Sequence, residues 1–262
     1  MSEPSKPNQV DVYRRKFMAV LSGAAATVLA PSLAVRAVDS AVADKSAMDG
    51  SVMKVRPLTQ PVTDEVRWGL LIDIEQLQDG GATMVAACQR EHGWGDDPKA
   101  SPEQQAQWIR TVTVTDQQSG REFTLPVMCQ HCETAPCVDV CPTGASMRRA
   151  DGIVQVNKHT CIGCRYCMMA CPYKARSFVH ESLEDQLPHS PRGKGTVESC
   201  NLCVHRIDAG RLPACVEAEP EAVIFGDLND PNSRIRQALA AQGGQQIRAD
   251  LQLNNGVRYQ GL

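Results

Sequence analysis

Twelve cysteines lie between Cys88 and Cys215, and most of them fall in tight groups. One group reads Cys129-x2-Cys132-x4-Cys137-x3-Cys141-Pro142. The next reads Cys161-x2-Cys164-x2-Cys167-x3-Cys171-Pro172. The remaining four are Cys200-x2-Cys203-x11-Cys215 and the solitary Cys88. Thiols at this density either pair as disulfides or bind soft metals. Cys-x2-Cys pairs rarely bridge, and a chain of 262 residues is longer than a typical disulfide scaffold. Zinc suits isolated Cys-x2-Cys pairs. A run of x2, x2, then x3-Cys-Pro suits [4Fe–4S] clusters. One short turn can present three thiolates and nearby backbone N–H groups to a single cubane, but not a fourth.

In proteins with two such runs, the fourth cysteine of each ligates the other cluster. On that rule one cluster takes Cys129, Cys132, Cys137 and Cys171. Another takes Cys161, Cys164, Cys167 and Cys141. The last four again divide as three plus one, so Cys200, Cys203 and Cys215 would be joined by Cys88. A group ending on Cys88 should carry cysteines at 78, 81 and 84, which instead hold Gln78, Gly81 and Met84. The last group should close on Cys-Pro, and reads Cys215-x3-Glu219-Pro220. Those four positions would together have bound one more cluster. Their joint replacement leaves the other sets whole, so the expected content is three [4Fe–4S] clusters.

With four thiolates on each cubane, no iron is open to a small-molecule substrate. The expectation is a one-electron relay, not an enzyme with its own substrate site. A dehydratase would leave one iron with three cysteine ligands, and a radical enzyme would show Cys-x3-Cys-x2-Cys. The twelve cysteines divide instead into three fours. Arg165 and Tyr166 lie between ligands and could tune a potential. His131 and His205 read as structural hydrogen-bonders, and His92, His159, His180 and His189 as surface residues.

The rest of the chain must position these groups. Aromatics are only 4% of the residues, so the cysteine-rich middle is organised around something besides apolar packing. The net charge of −3 gives no footprint for nucleic acid. Residues 67–74, 152–157, 175–180 and 222–227 read as short strands, and 111–127 as a hairpin about Ser119-Gly120. Residues 83–92 and 233–242 read as helices, and 181–199 as a loop. This mixture predicts an α+β fold, with ferredoxin modules wrapped around the clusters and a small β-hairpin insertion. At the N-terminus, Arg14-Arg15 precedes an uncharged run from Phe17 to Val35, and Ala41-Val42-Ala43 offers a small-residue cleavage site. That layout reads as a twin-arginine export signal over 1–43, followed by a linker over 44–66. The twin-arginine route carries folded proteins, so clusters can be inserted before the thiols reach an oxidising periplasm. The iron–sulfur domain then spans 67–227, and 228–262 is a C-terminal extension packing on it.

The stretches 126–145, 161–178 and 200–207 resemble the electron-transfer subunits of the dimethylsulfoxide reductase, polysulfide reductase and formate-dependent nitrite reductase complexes. Those subunits carry four cysteine groups and up to four [4Fe–4S] clusters in two tandem ferredoxin modules. The export signal and three-cluster count are most similar to the periplasmic iron–sulfur subunits of DsrMKJOP-type membrane complexes of sulfur metabolism. The resemblance implies a polytopic quinone-interacting membrane subunit as one partner. A multihaem cytochrome c or another periplasmic redox subunit is the other. The same resemblance places the cluster of Cys141, Cys161, Cys164 and Cys167 nearest the membrane subunit. In the family, the cluster missing here faces a molybdopterin catalytic subunit. A tetrathionate or polysulfide reductase with such a partner is therefore the alternative reading.

Overall fold

The computed structural model describes residues 59–95, 99–184 and 186–262. The expected export signal, with Arg14 and Arg15, and most of the linker lie outside the described residues. Within them, short helices and small sheets alternate in an α+β arrangement. No helix among the described residues is long and apolar enough to cross a membrane.

The central strand β1 (Trp68–Asp73) carries Leu70, Leu71 and Ile72 in succession, all fully buried. A continuous apolar run suits a strand covered on both faces. Strand β8 (Val223–Asp227) pairs with β1 antiparallel, Trp68 opposite Asp227 and Ile72 opposite Val223. Strand β9 (Val257–Gln260) pairs with its other edge in parallel, Leu70 opposite Val257. The order is therefore β8-β1-β9. The C-terminal segment thus completes the central sheet, although the sequence shows no strand there.

The hairpin of β2 (Ile109–Thr115) and β3 (Glu122–Met128) follows the alternation at 111–127, and β3 delivers Cys129 at its end. Helix α1 (Ala82–His92) starts at Gly81 and stops at Gly93, whose N–H donates to Gln89 O at 2.7 Å. This left-handed glycine stop is a common helix terminus. Helix α2 (Pro136–Asp139) opens on a proline and carries Cys137 in its first turn. A two-stranded pair, β4 (Ser146–Arg148) with β5 (Val154–Val156), follows. Helix α3 (Tyr166–Ala170) runs between Cys164 and Cys171. A second short pair joins β6 (Ser177–Phe178) to β7 (Val197–Glu198), the latter leading into Cys200. The loop between them is pinned by the buried pair Arg192–Glu198 at 2.7 Å. Helix α4 (Val204–Asp208) follows Cys203, and helix α5 (Ala214–Ala218) carries Cys215 against α1. Helix α6 (Arg234–Gln242) is capped by Ser233 Oγ, which accepts from Arg236 N, and seats Ile235 against the central sheet.

Candidate metal centres

All twelve cysteines are free thiols. Cys129, Cys132, Cys137 and Cys171 line one cavity together with Tyr173 and Arg176. We call this the central set; each of its thiols is buried. Cys141, Cys161, Cys164 and Cys167 line a second cavity with Thr143, Ser146 and Arg165. This is the surface set: Cys167 is buried, Cys141 and Cys161 are half-buried, and Cys164 is exposed. Cys88, Cys200, Cys203 and Cys215 form the inner set, all buried. Their charges act on one another, Cys88 with Cys215 and Cys203, and Cys200 with Cys88 and Cys215.

The same turn recurs in each group. The residue before the second cysteine of the first Cys-x2-Cys in each group is left-handed: His131 at φ 45°, Gly163 at φ 71° and Leu202 at φ 54°. Such a kink turns successive backbone N–H groups inward, which forms a nest for an anion or an iron–sulfur site. At Gly163 a side chain is also sterically excluded, since a Cβ would lie 2.3 Å from Gly195 O.

Polar atoms surround the sulfurs. Ser146 N donates to Cys141 Sγ at 3.3 Å, and Arg176 Nη2 donates to Cys137 Sγ at 3.1 Å. Trp94 Nε1 donates to Cys88 Sγ at 3.2 Å, and His92 Nε2 lies 3.2 Å from Cys203 Sγ. Burial is the main force pushing the thiols of Cys88, Cys129, Cys137, Cys200 and Cys203 upward, and it pushes Cys132 and Cys215 up to about 12. For Cys141 burial also opposes the thiolate, but the N–H of Ser146 and the hydroxyl of Thr143 hold it below its ordinary value.

The sets lie in a row. Cys137 of the central set feels the charge of Cys167 of the surface set. Cys200 of the inner set feels the charge of Cys129 of the central set. The order is therefore surface, central, inner.

The positions read as relics of a further site do not resemble the three sets. Met84 is fully buried in the apolar core, Gln78 is exposed and Glu219 is half-buried. Gly81 holds φ 96°, and a Cβ there would lie 2.9 Å from Pro126 Cβ. A cysteine at 81 would meet both backbone strain and a clash.

Comparison with known proteins agrees with this picture. A profile describing a 4Fe-4S dicluster domain matches residues 121–228. The Hdr-like menaquinol oxidoreductase iron–sulfur subunit 1 of Archaeoglobus fulgidus is 35% identical, over 94% of this chain and 97% of its own. The chain belongs to the family of iron–sulfur electron-transfer subunits of oxidoreductase complexes. A subunit of the tetrathionate reductase of Salmonella typhimurium is 38% identical over 66% of this chain and 63% of its own. The menaquinone reductase iron–sulfur cluster-binding subunit of Nitratidesulfovibrio vulgaris is 33% identical over 66% of this chain and 80% of its own.

As an iron–sulfur subunit the chain must accommodate [4Fe–4S] clusters, and its buried polar atoms fit them. Of the seven buried side-chain atoms without a hydrogen-bond partner among the described residues, five are His131 Nε2, Ser146 Oγ, Ser199 Oγ, and Arg176 Nε and Nη1. Each belongs to a residue next to, or bonded to, a cysteine of one of the sets. Crowded buried thiolates call for cations, and orphaned donors call for acceptors; an iron–sulfide cubane supplies both.

Three side chains stand differently from their sequence reading or were missed by it. His92 was expected at the surface but is buried, its ring held between Ser190 Oγ at 2.8 Å and Cys203 Sγ. It lies at the end of α1, four residues after Cys88, and that spacing was the available signal. Asn255 sits in the C-terminal segment, where no chemistry was legible. Its Oδ1 accepts from Tyr173 Oη at 3.0 Å and lies 3.6 Å from Cys132 Sγ. Tyr259 Oη, also C-terminal, donates to Pro126 O and accepts from Gln130 Nε2, bracing the turn into Cys129. His131 accepts Val154 N on Nδ1, and His205 pairs with Glu91 at 2.7 Å, so both are structural hydrogen-bonders. Arg165 stacks on Phe178 with its guanidinium carbon 3.8 Å from the ring centroid, while Tyr166 is exposed.

Proposed function

We propose that this chain is a periplasmic relay carrying single electrons through three [4Fe–4S] clusters. Its ends would be a polytopic quinone-interacting membrane subunit and a periplasmic redox partner such as a multihaem cytochrome c. Cys129, Cys132, Cys137 and Cys171 would hold one cluster, Cys141, Cys161, Cys164 and Cys167 another, and Cys88, Cys200, Cys203 and Cys215 the third. Each cluster supplies reversible one-electron chemistry when bound. The chain's own work is to space the clusters, exclude water and set potentials through donors such as Trp94, Ser146 and Arg176. With all four thiolates of each set engaged, no substrate site of its own is required. Export folded by the twin-arginine route, and a role in sulfur metabolism, complete the reading.

The observation that carries it is the row of three thiolate sets with one end at the surface. Around that end Val140, Ile162, Tyr166 and Met169 are exposed, Ile162 at 67% and Met169 at 74%. They are four of the six large exposed apolar side chains among the described residues. Such a patch marks an interaction site, and here it rims the most accessible thiolates. This supports the surface set as the end that docks on the membrane subunit. The absence of cysteine at 78, 81, 84 and 219 argues against a fourth cluster and against a molybdopterin partner. The likeness to the tetrathionate reductase relative is what favours that second reading.

The test is iron and acid-labile sulfide per chain on anaerobically purified protein, with EPR after dithionite reduction. About twelve irons and three reduced-cluster signals support the relay. About sixteen irons would restore the fourth cluster and the second reading. Co-purification then separates partners: a large molybdoenzyme would favour the second reading, a cytochrome with a polytopic quinone subunit the first.

A further inference from the structure

Arg176 is buried, with 5% of its surface exposed. Three other sheltered arginines face carboxylates. Arg149 pairs with Asp151 and Asp208, Arg192 with Glu198, and Arg206 with Glu91 and Glu217. Among the described residues no carboxylate pairs with Arg176. It bonds one thiol, Cys137 Sγ of the central set at 3.1 Å, and the charge of Cys167 of the surface set also acts on it. Nε and Nη1 are buried and lack any partner. An uncompensated charge buried in this way is strongly unfavourable. The guanidinium is always protonated and offers five donors in a fixed fork, so its counter-charge must come from sulfur on both sides.

We propose that Arg176 is a shared tuning residue, whose one positive charge, wedged between the central and surface sets, raises the reduction potentials of both clusters together. The inference rests on the ligand sets proposed above. Each cubane gains a negative charge when it takes an electron, so a fixed cation beside it favours the reduced form. Because the guanidinium bonds Cys137 and its charge also acts on Cys167, both potentials rise. The electron's passage between these two clusters is then kept nearly level while both are lifted relative to the inner set. The free N–H groups on Nε and Nη1 would donate to cluster sulfur, which strengthens the same bias.

The experiment is an EPR-monitored redox titration of the full, iron-replete chain as wild type, Arg176→Gln and Arg176→Lys, with iron counted in each. In Arg176→Gln the equilibrium constant for reducing each of the two clusters falls about tenfold or more, which is 59 mV for one electron. The inner cluster stays where it was. Arg176→Lys keeps the charge and recovers most of the loss, which a merely structural role would not predict. Unshifted potentials in iron-replete Arg176→Gln, or a shift in one cluster alone, overturn the proposal. Should Arg176→Gln fail to hold its clusters, pulsed EPR on wild-type protein labelled with 15N-arginine decides. Nitrogen coupling at both the reduced central and the reduced surface cluster supports the proposal, and coupling at one alone or at neither overturns it. Wild-type protein that lacks either of the two clusters would overturn the ligand sets as well. Replete wild type with an unshifted variant overturns the arginine alone.

Discussion

The surface set and the inner set present the same four thiols in opposite surroundings. At the surface, Cys164 is exposed, Cys141 and Cys161 are half-buried, and Cys141 Sγ meets a backbone N–H group and a threonine hydroxyl. In the inner set all four thiols are buried, and besides backbone N–H groups two side chains reach them, Trp94 donating to Cys88 and His92 lying 3.2 Å from Cys203 Sγ. The backbone differs as well. The surface turn uses Gly163 at its left-handed position, whereas the inner turn forces Leu202 into the same region at φ 54°. Leu202 is fully packed in the core, so burial of its side chain offsets that strain. One end of the row is built to be approached, and the other to be insulated and tuned from within.

The comparison can be broken most sharply at the inner set. Cys215→Ala should cost the chain about four irons and one EPR signal, leaving the other two clusters in place. Loss of all clusters together would mean that the sets do not stand as separate units. Next, Gly163→Ala puts a methyl group against Gly195 O at a left-handed position. It should destabilise the cluster-bound protein by about 2 kcal/mol or more in denaturant titrations. An unchanged midpoint would mean that the surface turn can relax.

A smaller effect is expected at the apolar rim. The double variant Ile162→Gln, Met169→Gln adds no charge and should leave iron content and all three potentials nearly unchanged. Electron exchange with the membrane partner, followed by stopped-flow absorbance, should slow about tenfold, as loss of a modest interface anchor would do. Equal rates would move the docking face elsewhere. The smallest change is Trp94→Phe, which removes one N–H···S bond from Cys88. The inner potential should fall by the one-electron equivalent of about 1 kcal/mol, with the surface potential unmoved, in an EPR-monitored titration.

Much of this was legible along the chain. The Cys-x2-Cys spacings and the two Cys-Pro endings group the cysteines that line the two cavities, because a ligand run is a local turn and short spacing survives folding. The hairpin read over 111–127 and the helix read over 233–242 were equally plain, since both patterns are local. The two-residue strands β6 and β7 mark the limit of that reasoning, because their pairing spans the long loop that Arg192 and Glu198 pin down.

What the sequence alone determined is the inventory of soft ligands and their division into local turns. Thiolate chemistry and chain stiffness decide both over a few residues. Only the tertiary structure decided the surroundings of each set. It added β9 to the central sheet through a parallel pairing of Leu70 with Val257, 187 residues away, and so carried Asn255 to Cys132 and braced Tyr259 beside the turn into Cys129. It buried His92 against Cys203 and left Arg176 between two sets with no carboxylate to answer it. Those contacts join residues far apart along the chain, and no spacing rule encodes the distance at which a charge or a donor finally meets sulfur.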